Sequence, residues 1–200
     1  MKLIFALALA YLLGSVPFAL VIGKVFYKTD VRQHGSGNLG GGNTGRVLGK
    51  KAGLAVMTMD ILKVTCSMLT AKLLCGTESA AVYAALAAAV GHCWPVFARF
   101  RGGKAVATLY GFCFGLWVLF GCGPFVFFLP LLVFLCVLYL TKIISLSSMI
   151  SALAVTVYFF FAASLPVRLA GIFFTLLILV RHGKNIRRMA AGNENKITWM

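Results

Sequence analysis

Residues 124–140 read Pro-Phe-Val-Phe-Phe-Leu-Pro-Leu-Leu-Val-Phe-Leu-Cys-Val-Leu-Tyr-Leu, and no side chain among them carries a charge. A segment this apolar has no wet face to show, so it belongs in hydrocarbon or in a fully buried core. The rest of the chain decides between the two. Of the 200 residues, 61% are hydrophobic and 12% charged, and the mean hydropathy is +0.96. A soluble domain is roughly half apolar and about a quarter charged. With Gly, Pro and charge taken as punctuation, further apolar stretches fall at 3–23, 53–74, 79–97, 105–121, 147–163 and 167–182. The reading is therefore an all-α, polytopic integral membrane bundle of about seven transmembrane helices. It predicts one domain over 1–200, without internal repeat or low-complexity linker. Leu3 to Leu13 behind Lys2 has the look of a secretory signal peptide, but the spans that follow favour an uncleaved first span. The run Ala80 to Ala89 suits close helix packing more than lipid contact.

The formal charge of +15 would suggest nucleic acid in a soluble protein. Here the basic residues sort by side instead. With the N-terminus outside, only Lys2 and Arg168 of the 19 Lys and Arg face out, and Lys63 and Lys72 fall within the second span. All the others lie on inner segments, which predicts N-out and C-in and removes nucleic acid as a partner. His34, His92 and His182 then fall on or near the cytoplasmic face, and any chemistry faces the cytoplasm. The six cysteines sit in apolar segments without a C-x-x-C pair, so they read as packing residues rather than disulfides or zinc ligands.

Three polar clusters interrupt this apolar shell. The first, Gly35-Ser-Gly-Asn-Leu-Gly-Gly-Gly-Asn-Thr-Gly-Arg46, pairs glycines that can turn N–H groups inward with Ser36, Asn38, Asn43, Thr44 and Arg46. It holds a formal G-x-G-x-x-G and a near-Walker spacing, yet both need a strand before and a helix after in a βαβ unit. Neither context exists, so Rossmann and P-loop readings fall. Glycine alone would serve a flexible connector; the interleaved polar residues favour a phosphate cradle, with Arg46 as a planar fork. The second cluster runs Gly91-His92-Cys93-Trp94-Pro95, then Phe100-Arg-Gly-Gly-Lys104 to Thr108. Lys104 stands at the start of a span, either as a topology anchor or sharing an anion with the helix N-terminus. The third is Arg181-His182-Gly-Lys-Asn185-Ile-Arg-Arg188, closing with Gly192-Asn-Glu194. On a helix His182 and Asn185 share a face, and imidazole can act as a base near neutral pH. Asp60 and Lys63, one turn apart at membrane depth, read as a brace.

What is missing narrows the chemistry. The chain has four carboxylates, Asp30, Asp60, Glu78 and Glu194, too few for a convincing Mg²⁺ site, so neither metal nor cofactor is expected. No His-x-x-x-x-Asp follows any histidine, and there is no G-x-S-x-G elbow. Metal-free chemistry on phosphorylated, acylated substrates is left.

Taken together and in order, the motifs Ser36-Gly37-Asn38 to Arg46, Phe100 to Thr108 and Arg181 to Glu194 resemble the bacterial acyl-phosphate:glycerol-3-phosphate acyltransferase family, PlsY. The resemblance covers nearly the whole chain. It implies a seven-span inner-membrane enzyme with its active site facing the cytoplasm. Its activity would be transfer of an acyl chain from acyl-phosphate to the sn-1 hydroxyl of glycerol 3-phosphate, giving lysophosphatidic acid and phosphate. By resemblance His182, Asn185, Ser36, Arg46 and Lys104 take the catalytic roles, while Gly37, Asn38, Asn43 and Ser145 bind substrate phosphate. Membrane lipid and a soluble enzyme that makes the acyl-phosphate are the further partners it suggests. One departure is visible: Gly41-Gly42 stand where the family usually has Ala-Thr. The rival reading is a transporter of an anionic organophosphate, but such proteins carry repeats and mid-depth ionisable residues. This chain gathers its polar motifs on one face.

Overall fold

The first apolar stretch is not one helix. In the computed structural model, which describes residues 1–197, α1 (Lys2–Gly14) ends before Ser15–Pro17 and α2 (Phe18–Tyr27) begins after it. Pro17 has no amide hydrogen to continue the ladder, and the Val16 N–H turns back to the Leu13 carbonyl at 3.2 Å. The remaining helices are α3 (Gly41–Leu48), α4 (Lys50–Cys75), α5 (Glu78–Cys93), α6 (Val106–Phe120), α7 (Phe125–Thr141), α8 (Ile144–Ala162), α9 (Leu165–Arg181) and α10 (Gly183–Ala190). No strand occurs among the described residues.

Four segments are long and apolar enough to cross a membrane: Lys2–Tyr27, Lys50–Cys75, Glu78–Ala98 and Ile144–Ala162. Leu165–Arg181 joins them when taken with Gly183–Ala190, from which it is bent by 61°. The apolar helices α6 and α7 have only 15 and 17 residues. At about 1.5 Å per residue they reach roughly 22–26 Å, short of a hydrocarbon core of about 30 Å. Sequence punctuation therefore marks seven apolar segments, of which length alone admits four, or five with the bent pair.

Small residues set the packing. The alanines of α5 at 80, 81, 84, 85, 88 and 89 are all buried. At the α1–α5 crossing a Cβ on Gly14 would overlap the Ala88 backbone, so the two backbones touch as membrane helices do where small residues meet. Larger side chains fill the other half of the core, where Phe112 stacks on Phe174 at 5.3 Å and packs edge-on against Phe159 at 5.9 Å. Pro130 lies inside α7, and its carbonyl accepts from the Tyr110 and Ser151 hydroxyls at 3.1 and 2.9 Å.

The bundle has two unlike ends. At one, Ser164 donates to Glu78 at 2.6 Å and the Lys72 ammonium reaches the Leu119 carbonyl. The other collects α3, the 93–105 connection, the start of α8, the end of α9 and α10, and with them most of the arginines. The tail closes over that basic end, where the Ile197 N–H donates to the Lys142 carbonyl at 2.8 Å.

Candidate active site

The three polar clusters, far apart in sequence, meet on the backbone of Gly102–Gly103–Lys104. From the first cluster the Asn38 amide donates to the Gly102 carbonyl at 3.4 Å. From the third, the Arg181 guanidinium donates to the Gly102 and Gly103 carbonyls at 3.1 and 3.0 Å while lying 5.3 Å over the Trp94 ring. A bidentate cation on two adjacent carbonyls fixes a turn as few other groups can. The backbone around it is unusual too: Arg99, Phe100 and Ala105 all have positive φ, at 55, 58 and 61°. Left-handed backbone at non-glycine residues is held only where surroundings impose it. Both glycines are required by contact, since a Cβ on either would overlap His92.

Lys104 stands at the exit of that turn, half-buried, and donates to the Asn185 Oδ1 at 2.6 Å. The Asn185 amide nitrogen donates in turn to Glu194 Oε1 at 2.6 Å. A lysine can only donate and an ionised carboxylate can only accept, so the two partners dictate which way the amide points. Glu194 is the hub of this knot: Oε1 also accepts from the Ser145 hydroxyl at 2.8 Å, and Oε2 from Arg188 Nε at 2.7 Å. Burial alone would raise its pKa, but the bonds from Arg188, Asn185 and Ser145 hold the carboxyl below its usual range. Burial and the nearby charge of Arg188 push Lys104 down to about 8, with Arg46 and Arg181 adding to the effect and Glu194 opposing it. Arg188, Arg46 and Arg181 act on Lys104 against the one carboxylate of Glu194, which leaves excess positive charge, and two Lys104 protons have no partner among the described residues and are free for an anion.

His182 sits at the 61° bend between α9 and α10, buried, with Nδ1 2.8 Å from the Ile178 carbonyl. A carbonyl only accepts, so in the neutral ring Nδ1 carries the proton and Nε2 keeps its lone pair. The sequence reading put His182 and Asn185 on one continuous helix face; the structure brings them into one cluster across the bend.

The Gly-rich segment is less open than its composition suggests. From Gly41 onward it is helix α3, and Asn43 is buried with every polar valence in use. Its amide donates to the Val31 and His34 carbonyls at 3.0 and 3.2 Å, and its oxygen accepts from the Ser36 N–H and Oγ at 2.8 and 3.1 Å. The Gly37 N–H goes to the His34 carbonyl at 3.1 Å. Ser36 and Arg46 are exposed, and Arg46 makes no hydrogen bond or ion pair among the described residues. Gly42 has open space where a side chain would stand, whereas the Thr44 hydroxyl is turned inward onto the Gly40 carbonyl at 3.1 Å. Thr44 does not substitute for the family's usual threonine at position 42. Among the described residues no three His, Cys, Asp or Glu side chains form a metal-binding group.

A family model described as glycerol-3-phosphate acyltransferase matches residues 4–192. The chain belongs to this family. It is 45% identical over 194 residues to the glycerol-3-phosphate acyltransferase of Geobacillus kaustophilus, covering 96% of this chain and 95% of that one. The Enterococcus faecalis family member is 42% identical over 210 residues, with 100% and 94% covered. Among solved structures, the glycerol 3-phosphate form of PlsY, an integral membrane glycerol 3-phosphate acyltransferase, superposes with a TM-score of 0.89 at 34% identity, covering 99% of this chain and 96% of that one. Its lysophosphatidic acid form gives 0.87 at the same identity and coverage.

Sequence reasoning placed Ser36, Asn38, Lys104, His182, Asn185 and Ser145 in or beside the site by motif. It did not find the hub role of Glu194, which appears in the third motif only as a terminal acid. Nor did it find Arg181 as the clamp on the Gly-Gly turn. The scarcity of acids was the available signal: a lone carboxylate behind four Lys and Arg residues (181, 184, 187 and 188) needs partners.

Proposed function

We propose that this chain is a glycerol-3-phosphate acyltransferase that takes its acyl chain from acyl-phosphate. The products are lysophosphatidic acid and inorganic phosphate. The observation that carries the reading is the meeting of Lys104, Asn185 and His182 around a braced Gly-Gly turn, in a chain of this family. An acyl-phosphate is a mixed anhydride and already activated, so positioning and charge neutralisation supply most of the catalysis. The sn-1 hydroxyl oxygen attacks the acyl carbonyl, the carbonyl–phosphate bond breaks, and phosphate leaves with the electron pair. Lys104 and Arg46 neutralise the two substrate phosphates. His182 Nε2 is placed to take the hydroxyl proton. Ser36 and Asn38 complete the phosphate contacts, and Asn43 and Gly37 shape the loop that presents them. Ser145 acts with Glu194 to hold Asn185. The acyl chain lies among helices open to lipid, beside Phe97 and Phe100, which are exposed next to the turn.

The charge asymmetry supports seven spans, with the N-terminus outside and this end in the cytoplasm of a bacterial inner membrane. A soluble enzyme making the acyl-phosphate is the natural supplier there. The test is phosphate release by purified protein given palmitoyl-phosphate in EDTA, with and without glycerol 3-phosphate. Acceptor-dependent release with lysophosphatidic acid formed is the expected result. Release that needs a metal overturns the metal-free mechanism, and no release from folded protein points to organophosphate uptake, read in proteoliposomes.

Lys104 also sets a pH limit. Its charge is lost as pH rises through about 8, while substrate phosphates stay dianionic there because their second pKa is about 6. The kcat/KM for glycerol 3-phosphate should therefore fall above pH about 8, reporting free enzyme. In Lys104→Arg that limb should move out of range, because guanidinium keeps its charge. An unshifted limb would assign the titration to another group.

A further inference from the structure

Beneath the Gly102–Lys104 turn lies a buried polar cluster that the mechanism does not use. The Lys63 ammonium, in the middle of α4, donates to Asp60 Oδ1 at 2.6 Å, to the Val16 carbonyl at 3.1 Å and to His92 Nδ1 at 3.0 Å. All three of its protons are thus committed, and its side chain is 4% exposed. His92 Nδ1 lies 3.0 Å from the Lys63 ammonium and 3.5 Å from Asp60 Oδ1; the shorter contact is to a group that can only donate, which assigns Nδ1 as acceptor and the neutral ring's proton to Nε2. That edge of the ring faces Gly103: a Cβ there would overlap Nε2. The His92 backbone holds the same turn, accepting the Gly103 N–H at 3.0 Å. Neither Lys63 nor Asp60 contacts Lys104, Asn185 or His182 in any hydrogen bond or ion pair.

We infer that Lys63 is a positioning residue, which through His92 fixes the height and tilt of the turn that presents Lys104. The inference rests on the acyltransferase reading and adds to it a support reaching from membrane depth to the phosphate site. Lys63 sets the rotation of the His92 ring, and the ring is the floor on which Gly103 rests. The carbonyl of Val16 belongs to the Pro17 break, so the same ammonium also ties the broken first span to α4 and α5. An ion pair at this depth is expensive, and a purely apolar trio would pack the same space without fixing a ring orientation.

The test removes the pair together, as Asp60→Asn with Lys63→Met, so that no charge is stranded. The wild-type chain must first form lysophosphatidic acid from palmitoyl-phosphate and glycerol 3-phosphate. For the variant, KM for at least one phosphorylated substrate should rise roughly tenfold with kcat within about threefold, as a misplaced binding group predicts. His92→Phe keeps a ring but loses Nδ1, and should raise the same KM. Combined with the pair it should do no further harm, since both act through one ring. Unchanged KM values, or effects that multiply in the combination, overturn the inference. A change confined to thermal stability or to the amount of folded protein does so as well. Where the paired variant does not accumulate, His92→Gln decides by the same KM criterion. If wild type makes no lysophosphatidic acid, the functional reading has failed, and the dissociation constant of inorganic phosphate on these variants tests the positioning by itself.

Discussion

Lys104→Met should lower kcat/KM for glycerol 3-phosphate by about 10³-fold, the scale on which removal of a preorganised charged donor is felt in a shielded site. Methionine has nearly the length and volume of lysine without its charge, so the α6 entrance stays filled. What is lost is specific. Lys104 spends one proton on Asn185 and keeps two, and its surroundings offer an anion three further arginines against one carboxylate. The half-buried ammonium works at lower dielectric than a surface lysine, so its attraction for phosphate is correspondingly larger. Lys104→Arg should recover only part of the loss, because a forked guanidinium cannot keep both the 2.6 Å bond to Asn185 and the same point of charge. The measurement is steady-state kinetics on detergent-purified variants whose elution volume and melting temperature match wild type. A loss below about tenfold would reduce Lys104 to the topology anchor that its place at a span edge equally allows.

The fold was legible wherever chemistry acts locally. Uninterrupted apolar runs are visible one segment at a time, and the alanine run of α5 packs inward as its small side chains demand, whereas reading 3–23 as one span passes over the break at Pro17. Segment boundaries failed where tertiary contacts decide. The Gly-rich stretch reads as an open loop because glycine disfavours helix, yet α3 forms there. A Cβ on Gly41 would stand 2.7 Å from the Gly53 carbonyl, so the glycines permit α3 to lie against α4, and this packing offsets their poor propensity. The site was legible as motifs but not as roles. Asn43 and Asn185 are the same residue type in the first and third motifs, yet one spends its whole amide bracing a loop and the other links a lysine to a carboxylate. Only the partners tell them apart, and the partners lie up to 81 residues away. His92 shows the same limit. Its sequence context offers a conspicuous histidine near the cytoplasmic face, whereas its surroundings make it the floor of a turn.

His182→Gln should lower kcat by about 10²–10⁴-fold if the imidazole takes the proton from the attacking hydroxyl, the usual range for a positioned general base. The argument rests on the tautomer. The Ile178 carbonyl at 2.8 Å can be met only by a protonated Nδ1, so the neutral ring is held with Nε2 bare, the state a base requires. The bend that ends α9 at Arg181 supplies this geometry, because His182 can cap the last turn with its ring and its backbone together. Glutamine preserves size and polarity but has no basic nitrogen. Loss of rate alone does not separate a base from a hydrogen-bond donor, so the decisive quantity is the shape of the pH profile. At saturating substrate, kcat reports groups ionising in the complex. With His182 as base, the acid limb of kcat disappears in His182→Gln and a flat, low rate remains. With a substrate phosphate as base, the limb survives at reduced height near the phosphate's second pKa of about 6. In that second outcome His182 is left with orienting the acceptor hydroxyl, and Lys104, Arg46 and the donor's own leaving group carry the reaction.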